Sequence, residues 1–417
     1  MTRTKLAYLT GEYPRASDTF IQREIAALRE LGHDVLTCSV RTTGAEHLVG
    51  PEQRDEHART FKLLESCKKP LTVLRAHLHW LRWPARYLSA LALAWQAAPA
   101  GLKGRTYNLI YFIEAGVLAQ HLAEQNVAHL HNHIAKSSCT VAMLASKLSG
   151  IPYSFAIHGP DIFFEPIHWR IDKKAEHARF VACISEFCRS QLMCFADAAH
   201  WTKFHIVHCG IEPGRYRASP HEGQRLLFVG RLAGVKGVPV LLEALAGVSD
   251  RPDWHLDLIG DGPERKAIEA RARALNLSDR VTFHGYRSQA DVAEALGRTD
   301  LFVLPSFAEG LPVVLMEALA AAVPVVTTRI AGVSELVADG ESGLLVPPGD
   351  AEALRWAITK LLDDPERRRR MGEAGRVKVA EAFDIRNEAA WLSALVEGYA
   401  ADSPPTTKRP GAGGDAP

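Results

Sequence analysis

Two carboxylates stand in an apolar segment, Glu309 and Glu317, within Phe-Ala-Glu-Gly-Leu-Pro-Val-Val-Leu-Met-Glu-Ala-Leu at 307–319. Buried carboxylates are costly unless they are paired or hydrogen-bonded. Pro312 fits the first position of a helix, where its missing N–H costs nothing. The free N–H groups of that helix start attract an anion. A second charged set, Gly230-Arg231-Leu232 and Lys236-Gly237, places two cations on one loop. Arg231 can bind a phosphate through its fork and Lys236 as a point charge, although a solvated surface pair would read the same. Gly260-Asp261-Gly262-Pro263 is a third loop. It is not Gly-x-Gly-x-x-Gly, and no Gly-x-x-x-x-Gly-Lys-Ser/Thr occurs, so a phosphate-bearing ligand without either signature points to a nucleotide-diphosphate sugar. His158, followed by Gly159, ends an apolar run and is placed to face a ligand. Gly11 suits close approach of backbone to a phosphate, or is a plain turn glycine. His129, His131 and His133 alternate and so share one face of a strand. A metal site is one reading, but no partner cluster accompanies them in sequence. Histidines at a sheet edge lining a cleft are the preferred reading.

These residues sit at the ends of predicted strands. Lys5–Leu9, Asp34–Val40, 129–133, Tyr153–Ile157, Phe180–Ile184 and Phe204–His208 read as strands, alternating with helices such as Thr19–Leu31 and Lys136–Leu148. The pattern restarts after an aperiodic linker, Ile211–Gln224, which holds Pro213, Gly214, Pro220 and Gly223. Arg225–Val229, His255–Ile259, Val281–His284, Asp300–Pro305, Pro324–Thr327 and Gly343–Val346 are the second series. Such alternation predicts α/β architecture, two doubly wound Rossmann-like domains with a ligand cleft between them. The expected boundaries are 1–212, 213–385, a C-terminal helix in 386–402 that crosses back to the first domain, and a Pro/Gly-rich tail in 403–417 that should be disordered. Residues 41–105 look less regular. Within them Ala76–Ala98 mixes Trp80, Trp83 and Trp95 with Arg75, Arg82 and Arg86. That mixture suits a peripheral membrane contact. The alternative, slightly preferred, is a helical pair broken at Pro84 whose aromatic side is core.

The 417 residues carry a formal net charge of +1, which gives no support to a general nucleic-acid binder. Seven scattered cysteines fit neither a disulfide framework nor Cys-x-x-Cys metal sites, and a reducing cytoplasm is expected. The first residues read as a strand rather than a signal peptide. No uninterrupted apolar stretch reaches spanning length.

The second half resembles the retaining glycosyltransferases of the GT-B fold. The matching residues are Gly-Arg-Leu-x-x-x-Lys-Gly at 230–237, Gly-Asp-Gly-Pro at 260–263 and the glutamate pair 309/317. Ala-Gly-Val-Ser-Glu-Leu-Val at 331–337 and Gly-Leu-Leu-Val-Pro at 343–347 complete the set. In the first half, Tyr13-Pro14 through Ser17-Asp18-Thr19-Phe20-Ile21 and His158-Gly159-x-Asp161 resemble the branch that builds bacterial exopolysaccharides, colanic acid among them. The family often writes Glu where this chain has Asp18.

The resemblance implies a donor site in which Gly230, Arg231 and Lys236 hold the diphosphate with Gly11, Gly260 and Gly262 nearby. Glu317 would bind the ribose, and Glu309 the transferred sugar. Backbone N–H groups of Gly310, Leu311, Pro312's neighbours and Val313 would meet phosphates and sugar, and the loop from His284 through Tyr286 and Arg287 would face the base. His158, Arg231, Lys236 and Glu309 would form the catalytic set, with His158 beside the anomeric centre. It further implies retention of configuration, a carbohydrate or lipid-linked oligosaccharide acceptor, action at the inner face of the cell membrane, and no cofactor beyond the nucleotide-sugar co-substrate. Without an Asp-x-Asp motif, no essential metal is expected. Competing readings are a sugar-nucleotide epimerase or a phosphorylase of the same fold, a non-catalytic partner in polysaccharide assembly, and a nicotinamide oxidoreductase. The last is weakened by the missing glycine fingerprint.

Overall fold

Apolar runs flanked by turn residues pair as two wholly parallel sheets in the computed structural model, which describes residues 4–16, 18–159, 163–218, 222–248 and 253–405. Ser17, Pro160, Asp161, Pro220 and the tail beyond 405, all considered above, lie outside the described residues. The first sheet contains β1 (Lys5–Glu12), β2 (Asp34–Arg41), β3 (Phe61–Lys62), β4 (His129–His133), β5 (Tyr153–Ile157), β6 (Val181–Cys183) and β7 (Phe204–Ile206). Its order is β3-β2-β1-β4-β5-β6-β7. The second contains β8 (Arg225–Val229), β9 (His255–Ile259), β10 (Val281–Gly285), β11 (Leu301–Leu304), β12 (Val325–Thr328) and β13 (Gly343–Val346). Its order is β10-β9-β8-β11-β12-β13. In both, the order reverses between the first strand of the series and a later one, the arrangement that opens a crevice at strand carboxyl ends. Leu301, Phe302, Val303 and Leu304 are all fully buried, as expected of a central parallel strand covered on both faces. Each such side chain contributes about 1.5–3 kcal/mol.

The chain forms two compact units, 1–15 with 21–208 and 388–417, and 16–20 with 209–387. Each is a Rossmann-like α/β unit. The last helix, Ile385–Ala400, belongs from Glu388 onward to the first unit. There Trp391 donates its indole N–H to the Ile206 carbonyl at 3.0 Å, and the Glu388 carboxylate accepts from the His208 N–H at 3.0 Å. Trp391, Leu392, Leu395 and Val396 are buried. In the second unit, the helix Pro365–Ala382 backs the helix Val313–Ala320. A Cβ on Gly372 would lie 1.8 Å from the Ala322 carbonyl oxygen, so only glycine permits this approach.

Several expectations need correction. β1 continues through Glu12, paired with Arg41 of β2, so Gly11 is in the strand rather than a loop after Leu9. β4 pairs with β1 and β5 and is interior, so His129, His131 and His133 are buried core residues and not at a sheet edge. Pro312 caps the helix with extended dihedrals and precedes its first turn. Residues 41–105 are mostly helical, with helices at Pro51–Arg59, Leu63–Cys67, Pro70–Trp80 and Pro84–Gln96. Leu102–Glu124 adds a 23-residue helix that has no clean apolar stripe because it packs against neighbours on several sides. The core reading of the tryptophans holds for Trp80, whose N–H meets the Gly116 carbonyl at 3.0 Å, but Trp83 and Trp95 are exposed.

Candidate functional site

The second unit gathers its charged loops at the carboxyl ends of β8, β9 and β11. β8 lies between β9 and β11, so the loops that follow them are neighbours. Glycine sets how closely they approach. Gly260 has φ +131°, and a Cβ there would meet the Gly230 carbonyl oxygen at 2.0 Å. One on Gly262 would meet the Leu232 carbonyl oxygen at 2.3 Å. Gly260 and Gly262 therefore hold the β8 and β9 loops together, a packing duty the sequence reading did not give them. Gly237, at φ +64°, likewise sits against the Pro305 carbonyl oxygen. The Phe307 N–H donates to the Val235 carbonyl at 2.7 Å, which stitches the β8 loop to the β11 loop.

Two cations emerge from this frame. Lys236 Nζ donates to Glu309 Oε1 at 2.5 Å, and the Ser306 hydroxyl donates to the same oxygen at 2.7 Å. Both partners are mostly shielded, with side-chain exposures of 19% and 12%. Lys236 and Glu309, assigned above to different parts of a donor, are thus partners of each other. Arg231 is exposed and has no acidic partner among the described residues. Close by in sequence to Glu309, the helix Val313–Ala320 begins, with Glu317 its one charged residue and buried. The Leu315 N–H is bonded to the Pro312 carbonyl at 3.1 Å, while the amides before it have no intrahelical acceptor. Gly310, Leu311 and Pro312 are buried beneath this start, and the Gly310 carbonyl accepts from the Gly332 N–H at 3.2 Å. One exposed cation, one cation paired with a carboxylate and a helix N-terminus are groups whose chemistry suits a polyanion.

Near β10, His284 Nε2 lies 2.6 Å from Asp257 Oδ1. His284 and Arg287 border a pocket of about 330 Å³ that also takes in Asp257 and Asp291. Tyr286 is half-buried beside them. Arg231, Lys236, Glu309 and Glu317 are outside that pocket, so the loops after β8 and β11 and the helix Val313–Ala320 carry those four residues near one sheet end while the predicted base-facing loop lies on its flank.

In the first unit the structure builds a chain of polar groups that the sequence reading missed. Tyr8 O–H donates to Glu24 Oε1 at 2.6 Å, and His133 Nε2 lies 3.0 Å from that same oxygen. His133 Nδ1 lies 3.1 Å from His158 Nε2. Burial opposes the charge on Glu24, but His133, His131 and the Tyr8 hydroxyl hold its pKa down to about 2. Burial, reinforced by His133, pushes His158 down to about 3. His158 is therefore neutral near pH 7, and His133 sets which of its nitrogens carries the proton. Such a group can exchange hydrogen bonds with a sugar hydroxyl. Glu24, His131 and His133 could bring three ligand atoms within 4.8 Å of one another. The hydrogen bonds just given already satisfy Glu24 and His133 as a network, while His129 and His131 share the Ser154 hydroxyl at 2.7 Å each. Around Gly11 a Cβ would find no atom within 4 Å, so that strand end is open to a ligand. Glu24 could have been suspected as the one acid on the buried side of its helix; its partner His133 is 109 residues away, beyond any local pattern.

Comparison with known proteins bears on this arrangement. Residues 216–378 match the sequence profile of the family described as glycosyl transferases group 1. The chain is 30% identical over 281 residues to the uncharacterized glycosyltransferase MJ1178 of Methanocaldococcus jannaschii, covering 64% of this chain and 75% of that protein. It is 27% identical over 396 residues to the amylovoran biosynthesis glycosyltransferase AmsK of Erwinia amylovora, covering 86% of this chain and 90% of that one. Among solved structures, Anabaena Alr3699/HepE in complex with UDP-glucose superposes with a TM-score of 0.72 at 19% identity, over 95% of this chain and 100% of the other. At that identity the likeness is one of fold.

Proposed function

Because this chain belongs to the glycosyl transferases group 1 family, and so is a glycosyltransferase of the GT-B fold, we propose that it moves a hexose from a nucleotide-diphosphate sugar to a carbohydrate acceptor on a lipid, with retention of anomeric configuration. The setting proposed is cytoplasmic assembly of an exopolysaccharide or other envelope polysaccharide, in line with the named role of AmsK and with seven cysteines that are all free. The observation that carries the reading is Arg231, a cation without an acidic partner among the described residues, set beside Lys236 and the start of the helix Val313–Ala320 on adjacent strand ends.

In this reading Arg231 and Lys236 bind the diphosphate, with Gly230 and the amides from Gly310 to Val313 completing the cradle. Glu317 takes the ribose hydroxyls, Glu309 a hydroxyl of the transferred sugar, and Tyr286 and Arg287 face the base. Gly11 and His158 serve the diphosphate and the reacting carbon. The bond from the anomeric carbon to the diphosphate oxygen breaks as the acceptor oxygen bonds to that carbon, and the acceptor proton passes to the departing diphosphate. Arg231 and Lys236 stabilise the charge that grows on the leaving group, an electrostatic contribution of about 3–4 kcal/mol per donor in comparable sites. These cations replace a metal ion, so EDTA should leave turnover intact.

A thermal-shift panel of UDP-, GDP- and ADP-sugars tests the donor. One nucleotide should stabilise the protein by about 2.7 kcal/mol at a hundredfold excess over its Kd. NMR of the product then reads the anomer. A panel without any shift, or an inverted product, would refute the corresponding part of the proposal.

A further inference from the structure

A second surface stands apart from donor chemistry. From Ser66 to Ile113 the chain contains no Asp or Glu but seven Lys and Arg residues, against a formal net charge of +1 for the whole protein. The remainder therefore carries a net −6. All seven cations are exposed. Lys68 pairs with Glu65, just outside the window, and Arg105 lies over the Trp95 ring at 4.5 Å. Lys69, Arg75, Arg82 and Lys103 have no acidic partner among the described residues.

Large apolar side chains lie among these charges. On the helix Pro70–Trp80, Ala76 and Trp80 face the core, while Leu71, Leu74 and Leu78 recur at helical spacing on the opposite side and are exposed, Leu71 by 65%. Arg75 falls on the same arc, and Leu81 and Arg82 extend it into the following turn. The helix Leu102–Glu124 repeats the pattern, with Leu109, Ile110 and Ile113 exposed and Leu102 82% exposed. Trp83 and Trp95 are exposed by 45% and 49%. An apolar arc flanked by unopposed cations and half-exposed tryptophans matches the interface of an anionic bilayer. Protein–protein interfaces differ, since lysine is depleted there and charges of both signs meet. No helix among the described residues is long and apolar enough to cross a membrane, which leaves a helix lying on it.

We propose that the helices of residues 70–113 dock the protein on an anionic phospholipid surface, with Leu71, Leu74 and Leu78 entering the headgroup boundary and Lys69, Arg75 and Arg82 meeting lipid phosphates. The inference rests on this surface and not on the donor assignment.

The test is co-sedimentation of the full chain with phosphatidylcholine vesicles and with vesicles in which about a third of the lipid is phosphatidylglycerol. Binding should require phosphatidylglycerol and be lost at about 0.5 M salt, where the screening length is only a few ångströms. The Lys69→Gln/Arg75→Gln/Arg82→Gln variant should partition about a hundredfold more weakly, at about 1 kcal/mol per charge. Leu74→Ser/Leu78→Ser should lose at least about tenfold. Unchanged circular dichroism and thermal midpoint establish that each variant is folded. Should either unfold, Leu102→Ser with Lys69→Gln repeats the test at two highly exposed positions. Equal binding to neutral vesicles, no binding to either, or variants that bind like the parent overturn the proposal. So does a dimer that dissociates in the leucine variant, because the apolar arc would then be a contact between copies.

Discussion

The Lys236–Glu309 pair predicts opposite outcomes for its two partners. At 2.5 Å and largely shielded, two unit charges attract by about 6–7 kcal/mol at an effective dielectric of about 20, less the cost of taking both out of water. A donor diphosphate that recruits Lys236 must compete with Glu309 for it. In Lys236→Ala the phosphate loses a charge-assisted hydrogen bond, about 1.5–3 kcal/mol. Glu309 is also left uncompensated beside an anion, which brings the total to about 3–5 kcal/mol. The Kd for the nucleoside diphosphate selected by the thermal-shift panel should therefore rise at least about a hundredfold. In Glu309→Gln the competitor is gone while Ser306 retains an acceptor. The same Kd should fall about fivefold, equivalent to about 1 kcal/mol, while kcat falls because the sugar has lost its partner. Isothermal titration of both variants against the parent reads the signs directly. If both substitutions shift the Kd in one direction, or Lys236→Ala binds within about threefold of the parent, the ion pair is structural and the phosphate assignment fails.

Other outcomes follow from buried groups. Burial holds His129 and His158 at about 3, so the unfolded chain binds more protons below its own histidine pKa near 6.5. Stability should therefore fall as pH drops from about 6.5, by roughly 2 kcal/mol per histidine at pH 5, as urea midpoints at pH 7 and pH 5 would show. A flat profile would mean that these imidazoles are not neutral. Burial raises Glu114 to about 7 against the pull of Arg41. It thus costs stability as pH rises through its folded pKa, and Glu114→Gln should gain up to about 3 kcal/mol at pH 8 and almost nothing at pH 4. Equal midpoints at pH 8 would refute it. Gly260→Ala should fold poorly or not at all, since its Cβ would lie 2.0 Å from the Gly230 carbonyl oxygen at φ +131°, a clash worth more than the few kcal/mol of most core changes. Soluble expression with parental stability would show that the loops can separate.

Four of the strands were readable to the residue. Tyr153–Ile157, Arg225–Val229, His255–Ile259 and Gly343–Val346 begin and end where composition places them, because a short apolar run bounded by glycine or proline has few other fates. The helix Leu102–Glu124 was not readable, since neighbours on several sides erase the amphipathic signal. Nor was Pro365–Ala382, whose largely polar sequence becomes a buttress through Gly372 against Ala322 and Gly375 against Leu319. At the candidate site, residue types and loop positions were legible, but pairing was not. Glu24 to His133 and Lys236 to Glu309 span 109 and 73 residues, and no local spacing encodes them. Trp83 and Trp95 show the converse limit. Tryptophan at helical spacing does not tell which face the neighbouring helices cover.

The order of chain segments in the first unit constrains its synthesis. The strands of its sheet are complete by Ile206, yet β7, at the edge of that sheet, gains its helix only from Glu388 onward. His208 and Glu388 are 180 residues apart, which at about 5–20 residues per second leaves roughly 10–40 s between their translation. During that interval His205, Ile206 and Phe180 lack Tyr399 and Trp391, and a strand edge is open to other chains. The whole second unit can emerge and fold before the first is closed. A ribosome that stalls late in this message would therefore leave a finished second unit joined to an unfinished, aggregation-prone first unit, and slow translation near the end of the message should lower the soluble yield.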